Sequence, residues 1–154
     1  MSLRWRVRAV EAADETGWRR LWKGYCDFYE VSIATDVTDA LWRRILDGGA
    51  GIHAVVAESG PKEDRQLIGF GNYILHPYTW GRGSMCYLED LFVAEHARRA
   101  GVGRAIIETL IHMGYDHGWA RVYWHTHESN KGARSLYDKV TPVDSFVRYV
   151  VHLR

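Results

Sequence analysis

Alternation of apolar and basic residues at the start of the chain predicts a strand. Three arginines lie between the apolar positions Leu3, Trp5, Val7 and Ala9, which is the period-2 pattern of a strand with one buried face. Asp14 then stands where a helix N-cap is expected. The following helix carries an apolar stripe at three- and four-residue steps, formed by Trp18, Leu21, Trp22, Tyr25, Phe28 and Tyr29. Core packing is the simpler explanation of this stripe, and lining of a substrate cavity is the alternative.

A second helix and three strands follow. The helix is predicted to open at Thr38 or Asp39 and to close at Gly48-Gly49. Apolar runs rich in β-forming residues predict strands over 52–57, 67–75 and about 85–93. The polar turn 59–64 joins the first two as a hairpin, and the glycine- and proline-containing stretch 76–84 predicts a loop.

The last third of the chain alternates between helical and strand patterns. Helical periodicity runs from Gly101 to near Gly118, a short strand covers 122–124, and a helix opens at Ser129 or Asn130 and ends near Tyr137. Residues 146–153 predict a final strand. The order β, α, α, three strands, α, β, α, β predicts an α+β fold: a mixed, mostly antiparallel central sheet with helices on both faces. We expect residues 1–154 to form a single domain.

Composition narrows the class of protein. The chain has 154 residues, of which 47% are hydrophobic and 25% charged, and a formal net charge of +1, so a folded globular protein is expected rather than a disordered one. The near-neutral charge disfavours nucleic acid and acidic membranes as partners. Two distant cysteines, Cys26 and Cys86, cannot form a disulfide framework. With no signal-peptide pattern and no long apolar run, we expect a cytoplasmic protein.

A glycine-containing turn between a strand and a helix is a candidate phosphate site. The turn reads Arg98-Arg99-Ala100-Gly101-Val102-Gly103. Unpaired N–H groups at a helix start attract anions, and glycine allows the ligand to approach the main chain. A Walker loop is excluded because Arg104-Ala105 follows Gly103, and a dinucleotide fingerprint because Ile106 occupies the third small position. Alone, the pattern also fits an ordinary surface turn.

Three blocks now stand in order along the chain: Tyr87-Leu88-Glu89-Asp90-Leu91-Phe92-Val93, Arg98-x-x-Gly101-x-Gly103, and Asn130-x-x-Ala133-x-x-x-Tyr137. Together they resemble the GNAT superfamily of acyl-CoA N-acyltransferases, and the predicted element order resembles that fold over nearly the whole chain. The first block is most similar to the diamine acetyltransferases and their bacterial and histone-acetylating relatives. Lys139-Val140-Thr141-Pro142 departs from the Leu-Gly-Phe-like turn of many members, and the tail offers one strand where many have two.

The resemblance implies an acetyl-CoA site and a set of roles. The strand from Tyr87 to Val93, which contains Leu91 and Phe92, would bulge and splay from the strand from Val122 to Thr126. Its residues Leu91, Phe92 and Val93 would hydrogen-bond the pantetheine arm. The turn formed by Arg98, Arg99, Ala100, Gly101, Val102 and Gly103, together with Arg104, would hold the pyrophosphate. Asn130 would contact the pantetheine arm, and Tyr137 would point at the sulfur. Some members are homodimers, and we expect the same here.

The implied chemistry assigns two catalytic candidates. A primary amine is protonated at pH 7 and needs a base, and the resemblance favours Glu89, directly or through water. Glu89 and its neighbour Asp90 should point to opposite faces of a regular strand, and purely structural carboxylates are the alternative. Tyr137 would donate to the departing thiolate, while a core role is its alternative. Backbone N–H groups near Leu91 and Phe92 would bind the carbonyl oxygen.

These features favour an N-acetyltransferase that acts on a small or polyamine-like primary amine. The alternatives are a lysine or N-terminal acetyltransferase acting on protein, and a non-catalytic acyl-CoA-binding module. Glu30, Asp36 and Asp39 are the acidic residues available to receive a cationic acceptor. His125 and His127 share a strand face, but no ligand cluster with suitable spacing accompanies them, so no metal site is predicted.

Overall fold

The computed structural model describes residues 4–154, so Leu3 of the predicted first strand lies outside the described part. In chain order its elements are β1 (Trp5–Ala9), α1 (Glu15–Phe28), α2 (Thr35–Asp47), β2 (Ile52–Ser59), β3 (Gln66–His76), β4 (Met85–Val93), α3 (Val102–His117), β5 (Arg121–Trp124) and α4 (Lys131–Tyr137). Short 3-10 turns precede α1 and α3. Among residues 4–154, no helix combines the length and apolar character that crossing a membrane requires.

One five-stranded sheet in the order β1-β2-β3-β4-β5 organises these elements. The first four strands are antiparallel to their neighbours, whereas β5 runs parallel to β4. Parallel pairing follows from the connection through α3, because a crossover helix returns the chain in the same direction. The predicted mixed, mostly antiparallel sheet is confirmed.

Two hydrophobic clusters cover the two faces of the sheet. On one face, α3 buries Val102, Ile106, Ile107 and Leu110 against the strands. On the other face, α1 and α2 bury most of the aromatic stripe, and the Trp18 ring lies 5.1 Å from Trp42 and 6.1 Å from Phe70. The core interpretation of the stripe is confirmed for its first half. Its second half, Tyr25 and Tyr29, reaches a cleft described below.

A buried carboxylate joins the outer strands to the start of α1. Glu58 in β2 is only 3% exposed and forms ion pairs with Arg6 and Arg8 of β1 and with Arg65. Arg8 also donates two hydrogen bonds to Asp14, the N-cap residue of α1. The hydrogen bond from Arg8 is the main reason that the pKa of Glu58 falls to about 2. The β1 edge is therefore held by charge as well as by strand pairing.

Two sequence predictions are corrected by the structure. Helix α2 begins at Thr35 rather than at Thr38 or Asp39, because Asp36 supplies the favourable acidic first turn before the apolar stripe begins. The final strand predicted over 146–153 is absent: this segment forms no strand and its apolar side chains are exposed. Its alternating pattern is present, but no strand within residues 4–154 pairs with it.

Candidate active site

A β-bulge at Glu89 divides β4 into two halves. Before the bulge, β4 pairs with β5 as far as Leu88 and Trp124. The register with β3 then passes from Leu88 directly to Asp90, which leaves Glu89 as the extra residue. A bulge bends its strand and increases the local twist. Beyond Trp124, β4 therefore continues without β5, and a gap opens between the two parallel strands at their carboxyl ends.

The bulge also turns Glu89 and Asp90 toward the same side of the sheet. The sequence predicts opposite faces for these adjacent residues unless a bulge rotates them, and the residue inserted at Glu89 is such a bulge. Asp90 accepts a hydrogen bond from Asn72 at 3.1 Å and one from Tyr25 of α1. Glu89 lies beside Tyr25 in the same cleft. Both carboxylates thus face α1.

Asp90 is a structural carboxylate. Asn72, which bonds it, in turn accepts a hydrogen bond at 3.2 Å from the indole of the fully buried Trp18. Burial raises the pKa of Asp90, and the hydrogen bonds from Tyr25 and Asn72 oppose that rise. This chain of bonds ties α1 to β3 and β4 next to the bulge. It also occupies Asp90, so the structural interpretation fits this residue and leaves Glu89 as the carboxylate available for chemistry.

Glu89 lies in a narrow cleft at the bulge. The cleft is lined by Tyr25, Tyr29, Leu88, Glu89, Leu91, Trp124, His125 and Tyr137. Desolvation in the cleft raises the pKa of Glu89, and the adjacent charge of Asp90 adds to the rise; no hydrogen bond contributes. A wider groove of about 420 Å³ lies between α1 and the end of β4. We assign the site to the cleft because the acid and base candidates converge there.

Tyr137 closes the opposite wall of the cleft. It is the last residue of α4, and its ring meets Trp124 edge-on with 5.5 Å between ring centroids. Burial raises the pKa of Tyr137 to about 12, with a smaller contribution from Tyr29. The hydroxyl therefore stays protonated at neutral pH and can donate a hydrogen bond. Tyr25 and Tyr29 also line the cleft, so the cavity-lining alternative for the aromatic stripe applies to these two residues near the end of α1.

Asn130 orients α4 and thereby Tyr137. It is the N-cap residue: its side-chain oxygen accepts a hydrogen bond from the Ala133 N–H at 3.4 Å, and its amide group donates to Thr126 at 3.2 Å. A capping asparagine of this kind stabilises a helix start by about 1 kcal/mol. The structure thus gives Asn130 a positioning role beside the cleft, and the contact with a pantetheine arm remains a prediction.

The turn before α3 presents uncapped backbone donors. The N-cap residue of α3 is Gly101, which has no side chain to accept a hydrogen bond, and the first helical bond runs from Ala105 N–H to the Gly101 carbonyl. The preceding N–H groups of Val102, Gly103 and Arg104 have no partner within the helix. Gly101 has φ +87°, and the nearest atom to an added Cβ would be 4.0 Å away on Trp5. The main chain at Gly101 is therefore accessible to a ligand from this side.

The arginines of this turn differ in their surroundings. Arg98 donates to the Val93 carbonyl at 3.0 Å and lies between the rings of Phe28 and Phe92, so it joins α1 to the end of β4. Arg99 is exposed and adopts a left-handed conformation with φ +65°, which is uncommon outside glycine. A left-handed backbone at a residue other than glycine is strained, and it persists only where the surrounding structure holds the turn in place. Ala100 lies in the same exposed turn, just before the N-cap residue. Arg104, in the first turn of α3, forms an ion pair with Glu108 on the helix surface.

Other predicted residues lie away from the cleft or have structural partners. Asp39 pairs with Arg19 at 2.8 Å, and neither Glu30 nor Asp36 lines the cleft. His127 bonds Ser129 rather than joining His125. Across residues 4–154, no three histidine, cysteine, aspartate or glutamate side chains converge as metal ligands.

The gap between the parallel strands β4 and β5 lies beside the uncapped start of α3, and together they form a binding site of a recognisable kind. It can bind an extended cosubstrate along the strands, receive its phosphates at the helix, and present the far end to a base and a proton donor. This is the arrangement of an acyl-carrier-dependent transferase.

The comparisons with known proteins agree with this class. Residues 18–141 match the Acetyltransferase (GNAT) family, and the chain belongs to that family. It is 34% identical over 134 residues to the D-amino-acid N-acetyltransferase HPA3 of Saccharomyces cerevisiae, covering 87% of this chain and 82% of the relative. A thialysine N-epsilon-acetyltransferase of Bos taurus is 34% identical over 89 residues, which cover 55% of this chain and 52% of that protein.

Solved structures share the fold. The structure of AAC(6')-Iy in complex with the bisubstrate analogue CoA-S-monomethyl-acetylneamine superposes with a TM-score of 0.79 at 19% identity, covering 98% of this chain and 99% of that one. The chain is therefore an acyl-CoA-dependent N-acetyltransferase, as its sequence blocks predict.

Proposed function

We propose that this enzyme transfers the acetyl group of acetyl-CoA to the primary amine of a small molecule, with Glu89 as base and Tyr137 as hydrogen-bond donor to the departing sulfur. One observation carries the proposal: Glu89, the inserted residue that forms the bulge at the gap between β4 and β5, lines the same cleft as Tyr137. A cosubstrate lying in that gap would end between the two side chains.

The turn and the gap fit acetyl-CoA in two respects. The N–H groups of Val102, Gly103 and Arg104 are free for a diphosphate, and Arg99 lies beside them. The backbone of β4 beyond the bulge, from Leu91 to Val93, has no strand on the β5 side within residues 4–154 and can pair with an amide-bearing arm as with an added strand. In this proposal Arg98 shapes the turn through Val93 and its two aromatic neighbours.

Each catalytic side chain has a defined proton task. Acetyl-CoA supplies the acetyl group as a thioester: a bond forms between its carbonyl carbon and the amine nitrogen, and the bond between that carbon and the sulfur breaks. The second proton that the nitrogen loses on becoming an amide passes to the departing sulfur, directly or through water, so that CoA leaves as the thiol. Glu89, in its carboxylate form, accepts the proton that the ammonium must lose, directly or through water. The Tyr137 hydroxyl donates a hydrogen bond to the sulfur as negative charge develops on it. Backbone N–H groups near Leu91 would stabilise the carbonyl oxygen.

The acceptor is proposed to be a small amine of the amino-acid type, ahead of a polyamine. The two relatives are named for D-amino acids and for thialysine. The cleft offers one free carboxylate, Glu89, because Asp90 is bonded by Tyr25 and Asn72. A single carboxylate suits one ammonium group better than a polycation.

Three further properties belong to the proposal. The free, buried thiols of Cys26 and Cys86 support a reducing compartment, and we propose the cytoplasm. The single sheet supports a single domain over the whole chain. We also propose a homodimer, which the exposed apolar tail supports.

The test is a panel of amines with released CoA detected by a thiol reagent. Small amino acids and simple amines should turn over, and Glu89→Gln should lower kcat/KM at least tenfold while calorimetry finds unchanged acetyl-CoA affinity. Faster turnover of lysine-rich peptides would replace the small acceptor with a protein. Acetyl-CoA binding without turnover of any amine would identify a non-catalytic binding module.

A further inference from the structure

Two stacked tyrosines lie on the sheet beside the cleft and belong to neither hydrophobic cluster. Tyr87 of β4 and Tyr123 of β5 are partners in the strand register, and their rings lie 5.0 Å apart with 20° between their planes. The adjacent residues Leu88 and Val122 pack toward α3, so strand alternation places both rings on the opposite face. Among residues 4–154, the clusters on the two faces include neither ring, and both rings are only half-buried. Core packing therefore does not account for the pair.

Histidines hold both tyrosine rings by their hydroxyl groups. His76 Nδ1 lies 2.9 Å from the Pro77 carbonyl, which can only accept a hydrogen bond. In the neutral ring Nδ1 therefore carries the proton, and Nε2 accepts from the Tyr123 hydroxyl at 2.7 Å. The Tyr87 hydroxyl lies 3.2 Å from Nδ1 of His125, whose ring centroid is 5.2 Å from that of Tyr87. Rings fixed in this way lose little further freedom when a ligand stacks on them.

We call Tyr87, Tyr123 and His125 the aromatic face, and it continues into the cleft that holds the base. His125 lines that cleft together with Glu89 and Tyr137. Glu89 follows Tyr87 by two residues, which is about 7 Å along a strand. Burial raises the pKa of Tyr87, and the negative charge of Glu89 adds to the rise because the two side chains are close. A group bound on the aromatic face would thus lie next to the base.

A positive charge borders the far end of the aromatic face. Arg121 precedes Tyr123 by two residues on β5, so its side chain leaves the strand on the same face. Its guanidinium lies 5.2 Å from the centre of the Tyr78 ring and donates to the Tyr78 hydroxyl at 3.2 Å. Trp80, which is 85% exposed, lies beside Tyr78 with 6.2 Å between ring centroids. A second ammonium group is disfavoured near Arg121, whereas an uncharged ring is not.

We propose that the acceptor is an aromatic amine, whose ring stacks on the aromatic face while its amino group reaches Glu89. This inference rests on the proposed N-acetyltransferase function and names its substrate class. At bond lengths near 1.5 Å, an amine two carbons from a ring lies about 5 Å from the ring centre. That spacing is comparable with the two-residue step from Tyr87 to Glu89. Arylethylamines and aromatic α-amino acids share it.

The first test compares amines that differ only in aromaticity. 2-Phenylethylamine and 2-cyclohexylethylamine have the same charge and the same spacing between ring and amine, and released CoA is detected with a thiol reagent. Aromatic pairing adds roughly 2- to 12-fold beyond burial of the same area, so kcat/KM should favour the phenyl compound by that factor. Phenylalanine and cyclohexylalanine form a second pair, and an advantage in one pair alone would identify that compound class as the acceptor.

The results separate failure of the inference from failure of the proposed function. A ratio near one in both pairs would overturn the aromatic acceptor, while turnover of these amines would leave the N-acetyltransferase standing. Acetyl-CoA binding with no turnover of these compounds or of propylamine would overturn both.

The second test assigns the preference to the aromatic face. Tyr87→Leu removes the flat ring and should bring the phenyl-to-cyclohexyl ratio of kcat/KM to about one, whereas Tyr87→Phe keeps the ring and should keep the ratio. Tyr123→Leu should also lower the ratio. The matched control is Tyr115→Leu, which changes an exposed tyrosine of α3 and should leave the ratio unchanged. Because the ratio compares two substrates of one preparation, it does not depend on how much of a variant folds. A ratio that survives in both leucine variants of the face would refute the assignment.

Discussion

Replacing Tyr137 with phenylalanine removes only the hydroxyl that faces the cleft, and its effect can be derived from the structure. The pKa of Tyr137 is about 12, whereas a thiol resembling that of cysteine has a pKa near 8.5. Complete proton transfer to the thiolate would thus be unfavourable by roughly 3.5 units, or about 5 kcal/mol. The hydroxyl therefore acts mainly as a hydrogen-bond donor to developing charge. Such bonds contribute about 1.5–3 kcal/mol, which corresponds to a loss of roughly 10- to 150-fold in kcat.

Stability and binding should change little in Tyr137→Phe. The ring keeps its edge-on contact with Trp124, so the free energy of unfolding should stay within about 1 kcal/mol. The KM for acetyl-CoA should remain near its original value, because the bond strengthens only as charge develops. Steady-state kinetics and thermal unfolding measure both. Tyr29→Phe, which removes another hydroxyl from the same cleft, is the control and should keep kcat within about threefold. Unchanged kcat in Tyr137→Phe would refute the donor role.

Three further predictions concern the phosphate turn, the base and the fold. Gly101→Asp should lower acetyl-CoA affinity at least tenfold in calorimetry, whereas Gly101→Asn, of equal size and without charge, should lower it less; equal losses would contradict an anion site. Activity should fall as pH drops through the raised pKa of Glu89, because the base must be ionised, and Glu89→Gln should remove this acid limb from the pH profile of kcat/KM. The pKa of Glu58 is about 2 in the folded protein and about 4.5 ordinarily. Its contribution to the free energy of unfolding is therefore complete above pH 4.5 and is lost as the pH falls through 2. Glu58→Gln should cost on the order of 2–3 kcal/mol at pH 7 by denaturant unfolding, and a loss below about 0.5 kcal/mol would show that the ion pairs contribute little.

The elements that sequence predicted well are those whose pattern is local. Helix α3 lies between Gly101 and Gly118, and the left-handed backbone at both glycines explains why these limits could be predicted. The hairpin of β2 and β3 likewise follows from two β-rich runs and a polar turn. By contrast, the strand predicted over 146–153 is absent, because its alternation cannot say whether a partner strand lies in the same chain. Pairing is a long-range property, and the local pattern does not encode it.

In the candidate site, too, features set by local sequence could be predicted, whereas features set by long-range packing could not. Spacing alone placed Gly101 at the start of α3 and Tyr137 on α4, because helix signals are short-range. The orientation of Asp90 could not be predicted, since it depends on an inserted residue in β4 and on Asn72 in a neighbouring strand. The contribution of Tyr25 depends on how α1 packs over the sheet. When a side chain is oriented by residues that are distant along the chain, the sequence identifies the residue, and only the structure shows where its side chain points.

The bulge at Glu89 explains why the cleft and its base occur together. Inserting one residue into β4 reverses the facing of every later side chain, so that Phe92 packs against α1 while Leu91 and Val93 pack against α3. The same insertion bends β4 away from β5 and exposes backbone groups along the gap. The hydrogen bonds of Asp90 with Asn72 and Tyr25 then hold the bulged strand against α1. Deleting Glu89 would therefore remove the base and, by restoring regular alternation with Asp90 still opposite Asn72, straighten β4 and close the gap, whereas Glu89→Gln changes the base alone. Loss of acetyl-CoA affinity in the deletion but not in the substitution would separate the two roles of this residue.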